Sequence, residues 1–115
     1  MQWHGLTQVL DRMKTNDART IAWIFYAICF WDKSPVTRLE IMHSADALDH
    51  LQPLESELDL ALGFLTERKL VQDAGDSFSL TDAGNRIHDQ ASESTGNVYD
   101  VMRNLETYFS SSRAV

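Results

Sequence analysis

The sequence predicts a mainly α-helical single domain, 1–115, that carries one small β-hairpin. Two observations carry this. Apolar residues recur at spacings of three and four, or caps and breakers mark helix ends, along most of the chain. Between residues 70 and 80 the pattern changes to two short strand-like pieces around Asp73-Ala74-Gly75-Asp76, which is turn chemistry. The length of 115 residues suits one domain, since a domain typically runs to about 100–150.

Near the start, Trp3, Leu6, Leu10 and Met13 share one helical face, which predicts a short amphipathic helix over 5–14. Thr15, Asn16 and Asp17 are good N-caps for a second helix. That helix runs through Ile21–Trp31 and is apolar on nearly every side, the mark of a central helix contacted from several directions. Ser34-Pro35 stops it, because proline disfavours helix in the residue before it. A third helix is expected within Val36 to Leu51, with Leu39, Met42, Ala45 and Leu48 facing inward. Pro53 suits a helix start, and Leu58, Leu62 and Leu65 give the next helix, Leu54 to Arg68, a regular stripe. After Leu70-Val71, the turn and Phe78-Ser79-Leu80, Thr81 is placed to cap a helix from Asp82 to about Gln90. Asn97 is placed to cap the last, amphipathic one, 98–110, with its stripe of Val98, Val101, Met102, Leu105, Tyr108 and Phe109. Trp23, Ile24, Ala27, Ile28 and Trp31 are expected to form a core with Leu62, Leu65, Leu80 and Ile87.

Composition narrows the function classes. The longest apolar and aromatic run has 11 residues, whereas spanning a bilayer takes about 20, so no membrane segment is expected. One cysteine makes no intrachain disulfide, and Asp11 and Asp17 interrupt the basic residues that imitate a signal peptide. A cytoplasmic protein is the expectation. With 10 Lys+Arg against 17 Asp+Glu, the formal charge of −7 repels phosphate-rich polymers at long range.

The stretch Leu58 to Gly84 resembles the helix-plus-wing segment of MarR- and PadR-type winged-helix proteins. The matching residues are Leu62, Leu65, Leu70-Val71, the wing around Asp73–Asp76, and Phe78-Ser79-Leu80-Thr81-Asp82-Ala83-Gly84. The resemblance covers roughly residues 17–90. It implies a winged helix-turn-helix-like domain with additional helices at both ends. Lys69 stands where such sequences usually have a glycine. A helix exit there often needs a positive φ, which costs a residue with a β-carbon roughly 1 kcal/mol.

Within that resemblance, the helix Leu54 to Arg68 is the one that would enter a major groove. Its first half carries Glu55, Glu57 and Asp59 and no cation, and the wing adds Asp73 and Asp76. Duplex binding requires cations to neutralise several phosphates, so this face opposes it. Glu55, Glu57 and Asp59 are therefore expected to form a face for an unidentified protein partner, in a non-catalytic regulatory or interaction module. The alternative is a dimeric DNA-binding regulator of the MarR/PadR kind, using Arg12, Lys14, Arg19, Lys33, Arg38 and Arg86 from elsewhere. Trp3, Leu10, Met102, Tyr108 and Phe109 are expected to supply a homodimer interface; the competing arrangement folds both terminal helices back on their own domain.

No phosphate loop, Cys-x-x-Cys, His-Glu-x-x-His or nucleophile elbow is present, so no enzyme and no cofactor are expected. Cys29, between Ile28 and Phe30, reads as a small hydrophobe. His43, Asp46 and His50 fall on one helical face, but two turns separate the histidines by roughly 10 Å, too far for one ion without further ligands. No metal is expected.

Overall fold

The structure, a computed structural model, describes residues 17–31 and 33–113; the helix expected over 5–14, with Trp3 and Leu10, lies outside them. Helix α1 (17–29) leads through a turn into β1 (Val36–Thr37), α2 (Arg38–Asp49) and α3 (Glu55–Glu67). Strands β2 (Val71–Asp73) and β3 (Ser77–Leu80) form the hairpin, followed by α4 (Asp82–Ser92) and α5 (Val98–Arg113). The described chain is mainly helical, with one small antiparallel sheet in the order β1-β3-β2.

Residues 21–28 of α1 are all buried, which is what an all-round apolar helix requires. Ile24 and Phe25 sit in a core shared with Ile41, Leu58, Leu65, Val101, Leu105 and Phe109. Of the core residues expected from sequence, all are buried except Trp31 and Leu80, which pack against the core from its edge. Two indoles, one within α1 and one just past its end, fasten this segment to α2. Trp23 Nε1 donates to the Ala45 carbonyl at 2.9 Å, and Trp31 Nε1 donates to the Glu40 carbonyl at 3.0 Å. A buried indole needs such an acceptor to offset its desolvation.

The segment after Pro35 differs from expectation. Val36-Thr37 is a strand, not the start of a helix, with Val36 paired to Phe78 and Thr37 to Ser77. Thr37 then caps α2: its Oγ1 accepts from the Glu40 amide at 3.2 Å while Glu40 Oε1 accepts from the Thr37 amide at 2.9 Å. This reciprocal capping box sets the phase of α2. Ile41, Ser44, Ala45 and Leu48 consequently point inward, and Leu39 is 61% exposed, contrary to its expected inward position.

The exit from α3 is a left-handed turn at Lys69, φ 61°. The Leu70 amide donates back to the Leu65 carbonyl and the Lys69 amide to the Thr66 carbonyl, both at 3.0 Å, which closes the helix end. The lysine thus holds the backbone geometry that glycine adopts without strain. Lys69→Gly is expected to raise stability by on the order of 0.5–1 kcal/mol. This is an αL cost of ~1–2 kcal/mol less the extra chain entropy of glycine, ~0.5–1 kcal/mol. Urea unfolding checks it, and a loss of stability would contradict this account of the turn.

The wing is tight. Asp73 Oδ1 accepts from the Gly75 amide at 2.7 Å, and the Ala74 amide donates to the Ser77 carbonyl at 2.9 Å. Gly75 takes φ 102°, open to glycine and strained for other residues. Thr81 joins the β2–β3 hairpin to α3 and α4. Its amide donates to the Leu70 carbonyl, its hydroxyl donates to the Lys69 carbonyl at 2.7 Å, and the same oxygen accepts from the Gly84 amide at 3.1 Å. At the far end, Asn97 Oδ1 accepts from the Tyr99 and Asp100 amides and caps α5 as expected. Asp100 does not complete a capping box with Asn97; its carboxylate accepts from the Thr95 hydroxyl.

Candidate interaction face

Helix α3 presents one side to the core through Leu58, Ala61, Leu62 and Leu65, and the other outward beside the β2–β3 hairpin. Between α3, the start of α2 and the β2–β3 hairpin lies a shallow concavity of about 420 Å³. Asp59, Gly63, Thr66 and Glu67 line it from α3, Asp73 and Phe78 from the β2–β3 hairpin, and Arg38 from α2. Gly63 has no atom within 4 Å of the place a β-carbon would take, so the floor is open there.

Of the three acidic residues expected to form this face, two share a partner and the third does not. Arg38 Nη2 donates to Glu55 Oε1 at 2.8 Å and to Asp59 Oδ1 at 2.6 Å. Both carboxylates remain two-thirds exposed, so the contact organises the surface more than it stabilises the fold. The two acceptors raise the affinity of the Arg38 guanidinium for its proton, with the Glu55 bond the larger cause. Glu57 turns back on its own helix, where Oε1 accepts from the Leu54 amide at 2.8 Å. It caps α3 and does not share the Arg38 cluster.

Arg38, expected only as one of several scattered cations, is the residue that joins Glu55 and Asp59 on this face. Its partners lie 17 and 21 positions away, beyond any helical spacing. Around the concavity the charges are Glu55, Asp59, Glu67 and Asp73 against Arg38. The other cations named as possible phosphate contacts do not join it. Lys33 pairs with Glu40 at 2.7 Å, which lowers the proton affinity of Glu40, and Arg19, on α1, lines a different groove that α1 forms with α5. Arg86 is exposed on α4, and Arg12 and Lys14 lie outside the described residues. At the end of α3, the Arg68 guanidinium stacks over Phe64, 4.7 Å from the ring centroid.

No family model, no curated protein and no solved structure matches this chain.

The stripe expected to form a dimer surface is divided by the fold. Phe109 is wholly buried, edge-on to Phe25 at 5.6 Å and to Phe64 at 6.0 Å. Met102 lies on one flank of the buried Val101–Leu105–Phe109 ridge, in a groove against α1. Tyr108 lies on the other flank, beside Ile87 and Ala91 of α4, and is 40% exposed. α5 therefore spends most of its apolar stripe on its own chain.

His43, Asp46 and His50 are all exposed, and His50 leaves the helix at φ 55° with its amide bonded to the Asp46 carbonyl. Among the described residues, no group of three or more His, Cys, Asp or Glu side chains is placed to hold a metal ion. Burial pushes the Cys29 thiol up, so the thiolate needed for redox chemistry is suppressed. Among the described residues, no helix is long and apolar enough to cross a membrane.

Proposed function

We propose that this chain is a non-catalytic interaction module, built on a winged-helix-like frame, that docks a protein partner through the outer face of α3 and the adjoining wing. The frame is supported by the element order α1-β1-α2-α3-β2-β3 and by a sheet in which β3 lies between β1 and β2. One observation carries the choice of partner class. Arg38, which lines the concavity, is bonded to two carboxylates, and Glu55, Asp59, Glu67 and Asp73 leave an acid excess where a DNA reader needs cations. A partner surface carrying Lys or Arg complements it, whereas a phosphate backbone is repelled.

We place self-association within the same proposal, with Tyr108 as aromatic surface left exposed on α5. Sedimentation at micromolar concentration is expected to show a dimer, and a clean monomer contradicts that part. The partner-class reading is tested with a random-sequence duplex pool and with the double variant Glu55→Lys/Asp59→Lys. The wild type is expected to enrich no motif and to bind random duplex no tighter than about 100 μM at physiological salt. The double variant is expected to weaken capture of a purified protein partner while melting like the wild type, since exposed pairs contribute only about 0–1 kcal/mol.

A further inference from the structure

A second concavity, of about 560 Å³, shares no lining residue with the one beside the β2–β3 hairpin. It is a groove between the first turns of α1 and the start of α5, closed at one end by the α2–α3 connection. Its apolar surface comes from Trp23, Leu51, Tyr99 and Met102. Leu51 is 60% exposed and Tyr99 62%, so apolar surface at the groove is left open to solvent. The charged groups at its edge are Asp49, Glu57 and Glu106 against Arg19 and Arg103, an acid excess of one.

The chain immediately before α1 has the complementary character. Residues 1–16 carry the Trp3–Leu6–Leu10–Met13 stripe and one acid, Asp11, against Arg12 and Lys14. A helix over 5–14 is about 15 Å long, and the α5 edge from Tyr99 to Glu106 is about 10 Å, so the lengths match. The connection back to α1 is Thr15-Asn16, within the usual two to eight residues for adjacent packed helices. Arg19 and Trp23, which line the groove, stand in the first two turns beyond that connection. So short a tether gives an effective concentration of about millimolar or above, which favours the segment of the same chain over any second molecule.

We propose that the groove between α1 and α5 is the seat of the chain's own N-terminal segment, docked in cis with Trp3, Leu6, Leu10 and Met13 against Trp23, Leu51, Tyr99 and Met102. This assigns Trp3 and Leu10 to the chain's own domain, and it is independent of the proposed use of α3 and the wing.

The test is paramagnetic broadening in the full chain. A nitroxide is attached at Gln8→Cys in a Cys29→Ala background, and amide signals are followed by NMR. Loss of the Tyr99, Met102 and Glu106 amide signals is expected, with the β2–β3 hairpin signals retained. In a mixture of isotope-labelled chain without nitroxide and unlabelled chain with it, those signals should stay intact. Loss in the mixture would assign the groove to a second copy and overturn docking in cis; retention in both samples would overturn it as well. A second measurement keeps the native cysteine and replaces Leu6→Asp and Leu10→Asp. The Tyr99, Met102 and Glu106 amides should then shift, and unmoved resonances would likewise overturn the proposal.

Discussion

Phe109→Ala is expected to lower the unfolding free energy by about 3–5 kcal/mol, the range for emptying a fully packed aromatic site. Phe109 is wholly buried and meets Phe25 of α1 and Phe64 of α3 edge-on, so one ring ties three helices together. Domains of this size are typically stable by only about 5–15 kcal/mol, so a loss of that size removes a large share of the total. Urea unfolding measures it. A loss below about 1 kcal/mol would mean that α5 is peripheral to the core, and would overturn its placement here.

Gly84→Ala is expected to cost on the order of 2–3 kcal/mol through overpacking against main chain. Gly84 lies in the first turn of α4, and a β-carbon there would fall on the Leu70 carbonyl oxygen. That oxygen already accepts from the Thr81 amide, and Thr81 in turn caps the Gly84 amide, so no part of this junction moves alone. Gly63→Ala is the control. Gly63 lies within α3 with nothing near its missing β-carbon, and alanine there should stabilise by roughly 0.5–1 kcal/mol. Thermal melts of the two variants should move in opposite directions. A neutral Gly84→Ala would contradict the close approach of α4 to the exit of α3.

The legible part of the fold was what local chemistry dictates. The all-apolar run became the central helix, the Leu58–Leu62–Leu65 spacing became the inner face of α3, and Asp-Ala-Gly-Asp became the β2–β3 hairpin turn. Thr81 and Asn97 cap the helices they precede. Strand β1 was missed because two residues carry no periodicity, although Thr37-x-x-Glu40 is a capping-box signature that places the helix start after Thr37. Of the inward face expected for α2, Ala45 and Leu48 are buried, while Ile41 and Ser44 are buried in place of Leu39.

The candidate face was legible in its charge and not in its connections. Glu55 and Asp59 are one turn apart on α3, and their shared outward side follows from that spacing alone. Their tie to Arg38 depends on how α2 packs beside α3, a long-range outcome that no local pattern encodes. Phe109 shows the same limit in reverse. Its place in an amphipathic stripe is equally compatible with an interface and with a core, and only the packing of α5 beside Phe25 and Phe64 decides between them.

Selection from a random-sequence duplex pool by the purified full chain tests the central claim most directly, because the acid excess around Arg38 makes opposite predictions for a DNA reader and a protein-docking face. Repeated rounds at physiological salt are expected to enrich no motif, with binding no tighter than about 100 μM. Enrichment of a reproducible motif, bound with an affinity that falls as salt rises, would contradict the account and make the chain a DNA-binding regulator.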